Sequence, residues 1–394
     1  MNKLYAFSVC LLLSLYAYSD KFVWNQKAPY PSFARHRCCA FTIGNKGYMG
    51  TGHINSGTIS QAYTDWWEYD PATDSWTQKA DYPLPRFACS AFTIGNKAYM
   101  GAGNEQNFGG RDEFFEFDPL QNTWTPKASF PVAAGGNIAF AINGKGYMGL
   151  GGGSSIYMYD PALDTWTPSS ANIPASDYSS CFVINNKAYV LPAWSNTFYM
   201  YDPATNSTVT KAPFIGDGRY AAASFAVRGQ GYIGMGWSSV TSNLLKDFYF
   251  YDPATDTWDT IPKAFPGVRR NYVPSFVIGD NAYFGTGSNG TNLGDIWGYE
   301  WKLSVGVDEK SLSAGISLYP NPTRDYLTVH VSDKALGLHP VLSIYQFDGK
   351  LVSEQTLQQE TSRVNTSSLP EGAYMTVIHT AGGNILCHEK LIKN

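Results

Sequence analysis

Three landmarks recur in step along the first three quarters of the chain, and this internal repetition constrains the fold more than any other feature. The first is a hairpin: "FTIGNKGYMGTG" at 41–52, "FTIGNKAYMGAG" at 92–103, "FAINGKGYMGLG" at 140–151, "FVINNKAYVLPA" at 182–193, "FAVRGQGYIGMG" at 225–236 and "FVIGDNAYFGTG" at 276–287. Apolar strands flank a short Gly/Asn turn each time. The second is a Tyr/Phe-Asp-Pro turn, as in "YDPATDSW" at 69–76, with a degenerate sixth copy at Tyr299-Glu300. The third is a strand carrying Trp76, Trp124, Trp166 or Trp258, with Thr208 at one copy. Each unit reads as four antiparallel strands. The sixth unit lacks a Trp strand after Tyr299, and "FVWNQKAPYP" around Trp24 precedes the first hairpin. An N-terminal strand completing the last unit would close a ring and bury two sheet edges.

Composition agrees with short strands and tight turns: aromatics are 15%, charged residues 15%, and 38 Gly with 22 Pro punctuate the chain. A net charge of -4 with no basic cluster argues against nucleic acid as a partner. Residues 1–19 read as a signal peptide, with Lys3, an apolar run from Leu4 to Leu15, and Ala17 and Ser19 before the cut. That run is shorter than the ~20 residues a bilayer needs, and no membrane span is expected after cleavage. Cys38, Cys39, Cys89, Cys181 and Cys387 then remain, an odd number without metal-type spacing.

These landmarks resemble the kelch family of β-propellers over about residues 22–302, although the family's Gly-Gly is Gly-x-Gly here, as in Gly50-Thr51-Gly52, and is lost in "LPAW". The resemblance implies an all-β, six-bladed kelch propeller over residues 20–302, closed by the N-terminal strand. The repeated Asp-Pro reads as turn-making, because Pro presets the backbone and the Asp side chain accepts nearby amides. Near-identical copies around a ring do not suit one metal or acid/base site.

From Asp70 to Ile94, and likewise in later copies, the interval stays between 24 and 26 residues, whereas from hairpin Tyr to the next Asp or Glu it runs from 13 to 22. Variable loops on a rigid scaffold are where binding resides. Eight residues before each hairpin Ile or Val stand Arg35, Arg86, Ala134, Ser176, Arg219 and Arg270. The four arginines belong to neighbouring long-looped repeats, and a lopsided cationic basin is the expectation, suited to carboxylates. The resemblance implies the same, since kelch arginines there often bind acidic ligands. The alternative, each Arg paired with a loop carbonyl or Asp, stays open. Tyr63, Phe108, Trp194 and Trp237 in the variable loops are candidates for stacking on sugars.

Copper radical oxidases of the galactose oxidase type share the kelch fold, but their two-His, two-Tyr site has no counterpart beyond His36 and His53, the only histidines in 22–302. A sialic acid mutarotase also has this fold, and Glu105, Asp112 or Glu113 would be its acid/base candidates. No nucleophile elbow, phosphate loop or zinc motif is present. No catalytic residue, metal or cofactor is expected, and a binding module is favoured over an enzyme or an inert adhesion scaffold.

After a linker at 303–315, residues 316–394 alternate apolar and polar positions around Pro/Gly turns, as in a small Ig-like β-sandwich. Tyr319-Pro320-Asn321-Pro322, Asp348-Gly349-Lys350 and Leu369-Pro370-Glu371-Gly372-Ala373-Tyr374 resemble the type A sorting domain of the Bacteroidota type IX secretion system. This implies secretion or display on the outer cell surface and contact with the secretion machinery. The expected whole is a monomeric propeller recognising a glycan or an acidic protein segment.

Overall fold

The structure is a computed structural model, and it describes residues 22–301 apart from 58, 152, 154, 174 and 175, together with 315–346, 350–380 and 385–394. The expected signal peptide, most of the linker and Asp348-Gly349 lie outside the described residues. Two compact units divide between Lys302 and Leu303.

In the first unit the described residues form six four-stranded antiparallel sheets. The first comprises Cys39–Ile43, Lys46–Gly50, Trp66–Asp70 and Ser75–Lys79. The sixth comprises Ser275–Ile278, Asn281–Gly285, Ile296–Trp301 and, from the other chain end, Phe22–Lys27. Trp24 lies opposite Tyr299 there, as Trp76 lies opposite Tyr69 in the first sheet. The first strands touch one another in sequence order, and that of the sixth sheet touches that of the first.

The repeated residues stitch each sheet to the next. Asp70 accepts the Ala72 amide at 3.0 Å and pairs with Lys46 from the hairpin turn, so the turn-making role is visible in its bonds. Asp74, in the left-handed region that Asp and Asn tolerate, accepts the Tyr69 hydroxyl at 2.7 Å and the Ala28 amide at 3.0 Å. Trp76 donates its indole N–H to the Ala28 carbonyl, and Trp124, Trp166 and Trp258 do likewise to Ala80, Ala128 and Ala212. Trp24 completes the series by donating to Lys263 at 2.8 Å. Inside, first-strand phenylalanines lie on the next sheet: a Cβ at Gly47, Gly146 or Gly231 would sit about 2 Å from Phe276, Phe92 or Phe182. Only a residue without one lets those rings approach.

The second unit packs a three-stranded sheet (Ile316–Tyr319, Tyr326–Val331, Thr361–Asn365) and a four-stranded one (Pro340–Gln346, Leu351–Thr356, Gly372–Thr380, Ile385–Lys393) around Leu327, Val329, Leu342, Ile344 and Leu391. No helix among the described residues is long and apolar enough to cross a membrane.

Candidate ligand-binding site

The four arginines of the expected basin are buried, and their donors point into the protein. Arg35 gives Nε to the Phe33 carbonyl, Nη1 to the Thr51 carbonyl (3.1 Å) and Asp65 Oδ1 (2.5 Å), and Nη2 to Ser32 and Asp65 Oδ2 (3.2 Å). That engages all five N–H groups of the guanidinium. Arg219 holds Asp247, Met235 O and Asp217 O, and Arg270 holds Asp295, Thr286 O and Val268 O, in the same pattern. Arg86 bonds Glu113 and the Pro85 carbonyl. Burial raises the Asp65 and Asp295 carboxyls, but the hydrogen bonds from Arg35 and Arg270 outweigh it and leave both below the usual range. The fork is thus occupied from within. These residues brace the loops, as the alternative reading of the sequence had it, and do not make an open cationic basin.

A different column of residues lies at the axis. Two positions after the arginine column stand Arg37, Ala88, Gly136, Tyr178, Ala221 and Tyr272, all in the left-handed region with φ from 52° to 70°. Each amide donates to the carbonyl of the same position in the preceding repeat, and Arg37 N donates to Tyr272 O at 3.4 Å, so the bonds run in a closed cycle. Three of these positions are minimal and three are large. The Arg37 guanidinium lies 3.6 Å over the Tyr272 ring, gives Nε to the Tyr178 hydroxyl at 3.0 Å and contacts His36 Nδ1 at 3.0 Å. No carboxylate among the described residues pairs with it within 4 Å. A cavity of about 140 Å³ adjoins it, lined also by Tyr178, Tyr272, Asn137 and Ser179.

Burial, then the Arg37 charge, pushes His36 down to about 3 and His53 down to about 4, so both imidazoles are neutral at neutral pH. Their rings sit 5.4 Å apart, and Phe108 lies edge-on to His53 and Phe87. Burial pushes the Tyr178 hydroxyl up to about 12 against the pull of Arg37, and raises Asp177. Among the described residues no group of three or more His, Cys, Asp or Glu is placed to hold a metal ion.

An aromatic path leads outward from this axis. Tyr178 meets Tyr272 and Tyr220 at 5.1 Å each, and Trp194 stacks on Tyr220 at 4.7 Å with planes 9° apart. Trp194 is 47% exposed, and Trp237, opposite Tyr220 in a short ladder, is 37% exposed. Tyr63 is set apart from this path, under Arg35 at 3.9 Å. The structure therefore gathers Trp194 and Trp237, and leaves Phe108 and Tyr63 elsewhere on the rim.

Residues 317–394 match the family described as "Secretion system C-terminal sorting domain". The chain carries a type IX secretion signal. Such domains mark proteins that are secreted or attached to the cell surface, and contact with the secretion machinery follows. For the remainder, the structure titled "Structure of YjhT", a kelch-like propeller, is similar with a TM-score of 0.56 at 15% identity, over 68% of this chain and 96% of that one. The secreted protein thus has a β-propeller-like fold. No curated protein matches the chain.

Sequence reasoning missed Arg37, Tyr178, Tyr220 and Tyr272. A signal for the arginine pairs was present: four residues before each repeat Tyr or Phe stand Asp65, Glu113, Ser155, Thr197, Asp247 and Asp295. The acid is present in the four repeats that have the arginine and missing in the two that have Ala134 or Ser176.

Proposed function

We propose that residues 20–302 of this secreted protein form a six-bladed kelch propeller, closed by the Trp24 strand, that binds a glycan bearing an acidic group on its variable-loop face. In this reading a signal peptide at 1–19 starts export, the sorting domain completes it, and the propeller acts as a monomer without metal or cofactor.

The observation that carries the reading is Arg37, a half-buried cation with no carboxylate within 4 Å among the described residues, held on Tyr272 beside a cavity. A charge removed from water without a counterion favours an anion from the ligand. The path through Tyr178 and Tyr220 to exposed Trp194 offers apolar ring faces on which sugars can stack. An acidic protein segment would use Arg37 but has less need of the Trp194 face.

The test is a glycan array probed with the mature full-length chain and with Arg37→Met and Trp194→Ala. Acid-bearing glycans should score, Arg37→Met should lose them, and Trp194→Ala should weaken them. Hits unaffected by both variants, or acidic peptides binding where glycans do not, would overturn the assignment.

A second reading, a sugar isomerase, draws on Asp177, whose carboxyl burial raises beside Tyr220 and Arg37. Anomer interconversion by the wild type and its loss in Asp177→Asn would favour it.

A further inference from the structure

In the third repeat the place taken elsewhere by an arginine is vacant. Ala134 stands at the arginine position and Ser155 at the acid position, and a cavity of about 110 Å³ lies beside Ser155, lined also by Phe130, Val132, Asn137, Leu150 and Tyr157. The fifth repeat shows what fills the equivalent space. There the Arg219 guanidinium packs 4.8 Å from the Phe214 ring and 5.4 Å from the Tyr249 ring, and bonds Met235 O at 3.1 Å and Asp247 at 2.9 Å.

The surrounding frame is conserved between the two repeats. Phe214 and Tyr249 are 5.1 Å apart at 76°, and Phe130 and Tyr157 are 5.5 Å apart at 85°. Met235 N donates to Asp247 O at 3.0 Å, and Leu150 N donates to Ser155 O at 3.2 Å. Leu150, like Met235, is buried, while Ser155 at the entrance is exposed. The third repeat therefore keeps the ring pair and the loop backbone that frame Arg219 in the fifth, and has neither the arginine nor its carboxylate.

We infer that this cavity is a binding site for a guanidinium group supplied by a ligand. A planar cation fits beside this edge-to-face ring pair, as the Arg219 guanidinium does beside Phe214 and Tyr249, and its N–H groups meet the Leu150 carbonyl and the Ser155 hydroxyl. With Ser155 in place of a carboxylate the site is weaker than the internal pairs, as suits reversible capture. Either a small guanidinium compound or an arginine side chain of a peptide would present this group.

Amide NMR of the mature full-length protein tests this. Titration with methylguanidinium should give saturable shifts centred on Leu150 and Ser155, with millimolar affinity, while methylammonium and sodium chloride at equal ionic strength should not. Ser155→Asp should tighten binding at least tenfold by restoring the counter-charge. Ala134→Arg should fill the site from within and abolish the shifts while leaving the rest of the spectrum in place. A blocked Gly-Arg-Gly peptide distinguishes the sources: binding by both probes assigns a side-chain site, and binding by methylguanidinium alone assigns a small-molecule site. No shift with either probe, or shifts that survive Ala134→Arg in a folded variant, would overturn the inference.

Discussion

Arg35 and Arg37 are two residues apart, yet one is fastened to a carboxylate inside the protein and the other is not. Arg35, like Arg86, Arg219 and Arg270, meets a carboxylate 25 to 30 residues further on, just before the third strand of its sheet. Arg37 has rings and a neutral imidazole around it, and among the described residues no carboxylate within 4 Å, Asp177 lying farther off. The difference shows that residue type alone does not make a binding residue. Whether the fold supplies the counter-charge decides between bracing a loop and awaiting a ligand.

The sharpest break of this comparison is to remove one acid. Asp295→Ala strands the fully buried Arg270 and should cost about 3–5 kcal/mol. Scanning calorimetry should show a fall in melting temperature of about 10 °C. A change near zero would mean that the paired arginines are not braces.

The complementary variant should separate function from stability. Arg37→Met keeps an apolar chain over Tyr272 and removes a charge with no carboxylate partner, so stability should move by less than about 1 kcal/mol. Binding of an acidic glycan should fall at least tenfold, as measured by titration calorimetry. Equal losses of stability in Arg37→Met and Asp295→Ala would erase the distinction drawn here.

Acid pH should act on the two regions with opposite sign. Asp65 and Asp295 have folded values depressed below their unfolded ones, so their contribution is present above about pH 4 and is lost as pH falls through the folded values. Asp177 is raised by burial, so the folded state favours its protonated form and its contribution is lost as pH rises through the folded value. Asp177→Asn should therefore raise the melting temperature slightly at neutral pH and leave the acid limb to the paired carboxylates. A lower melting temperature at pH 7 in Asp177→Asn would mean that the ionised carboxylate is the stabilising form.

Much of this organisation is legible in the residues because it is local. The Gly/Asn hairpins and the Asp-Pro turns depend on short-range backbone preferences repeated in register, and the place of Trp24, opposite Tyr299 from the other chain end, follows from the one strand the repeat pattern leaves missing. The arginine partners are not local: Asp65 lies 30 residues from Arg35 across a loop of variable length, and only comparison of repeats reveals the linked columns. The axial ring is harder still. Its left-handed positions hold Arg37, Ala88, Tyr178, Ala221 and Tyr272, residue types that do not announce such a backbone, which the closed cycle of amide bonds imposes from outside.

A rebuilt pair in the third repeat is the most discriminating variant for the repeats themselves. If the third repeat has merely lost an arginine pair, Ala134→Arg with Ser155→Asp should rebuild it beside the Phe130–Tyr157 ring pair. Ala134→Arg alone sets its guanidinium against the ring pair without a counter-charge and should change stability little, and Ser155→Asp alone sits at an exposed entrance and should be nearly neutral. The double variant should be more stable than the sum of the two single changes, giving a coupling energy of about 1–3 kcal/mol in a double-mutant cycle read from urea unfolding. Coupling near zero would mean that the neighbouring loop no longer presents Ser155 as the other repeats present their acids, and that the low wall of this arc has diverged in backbone as well as in side chain.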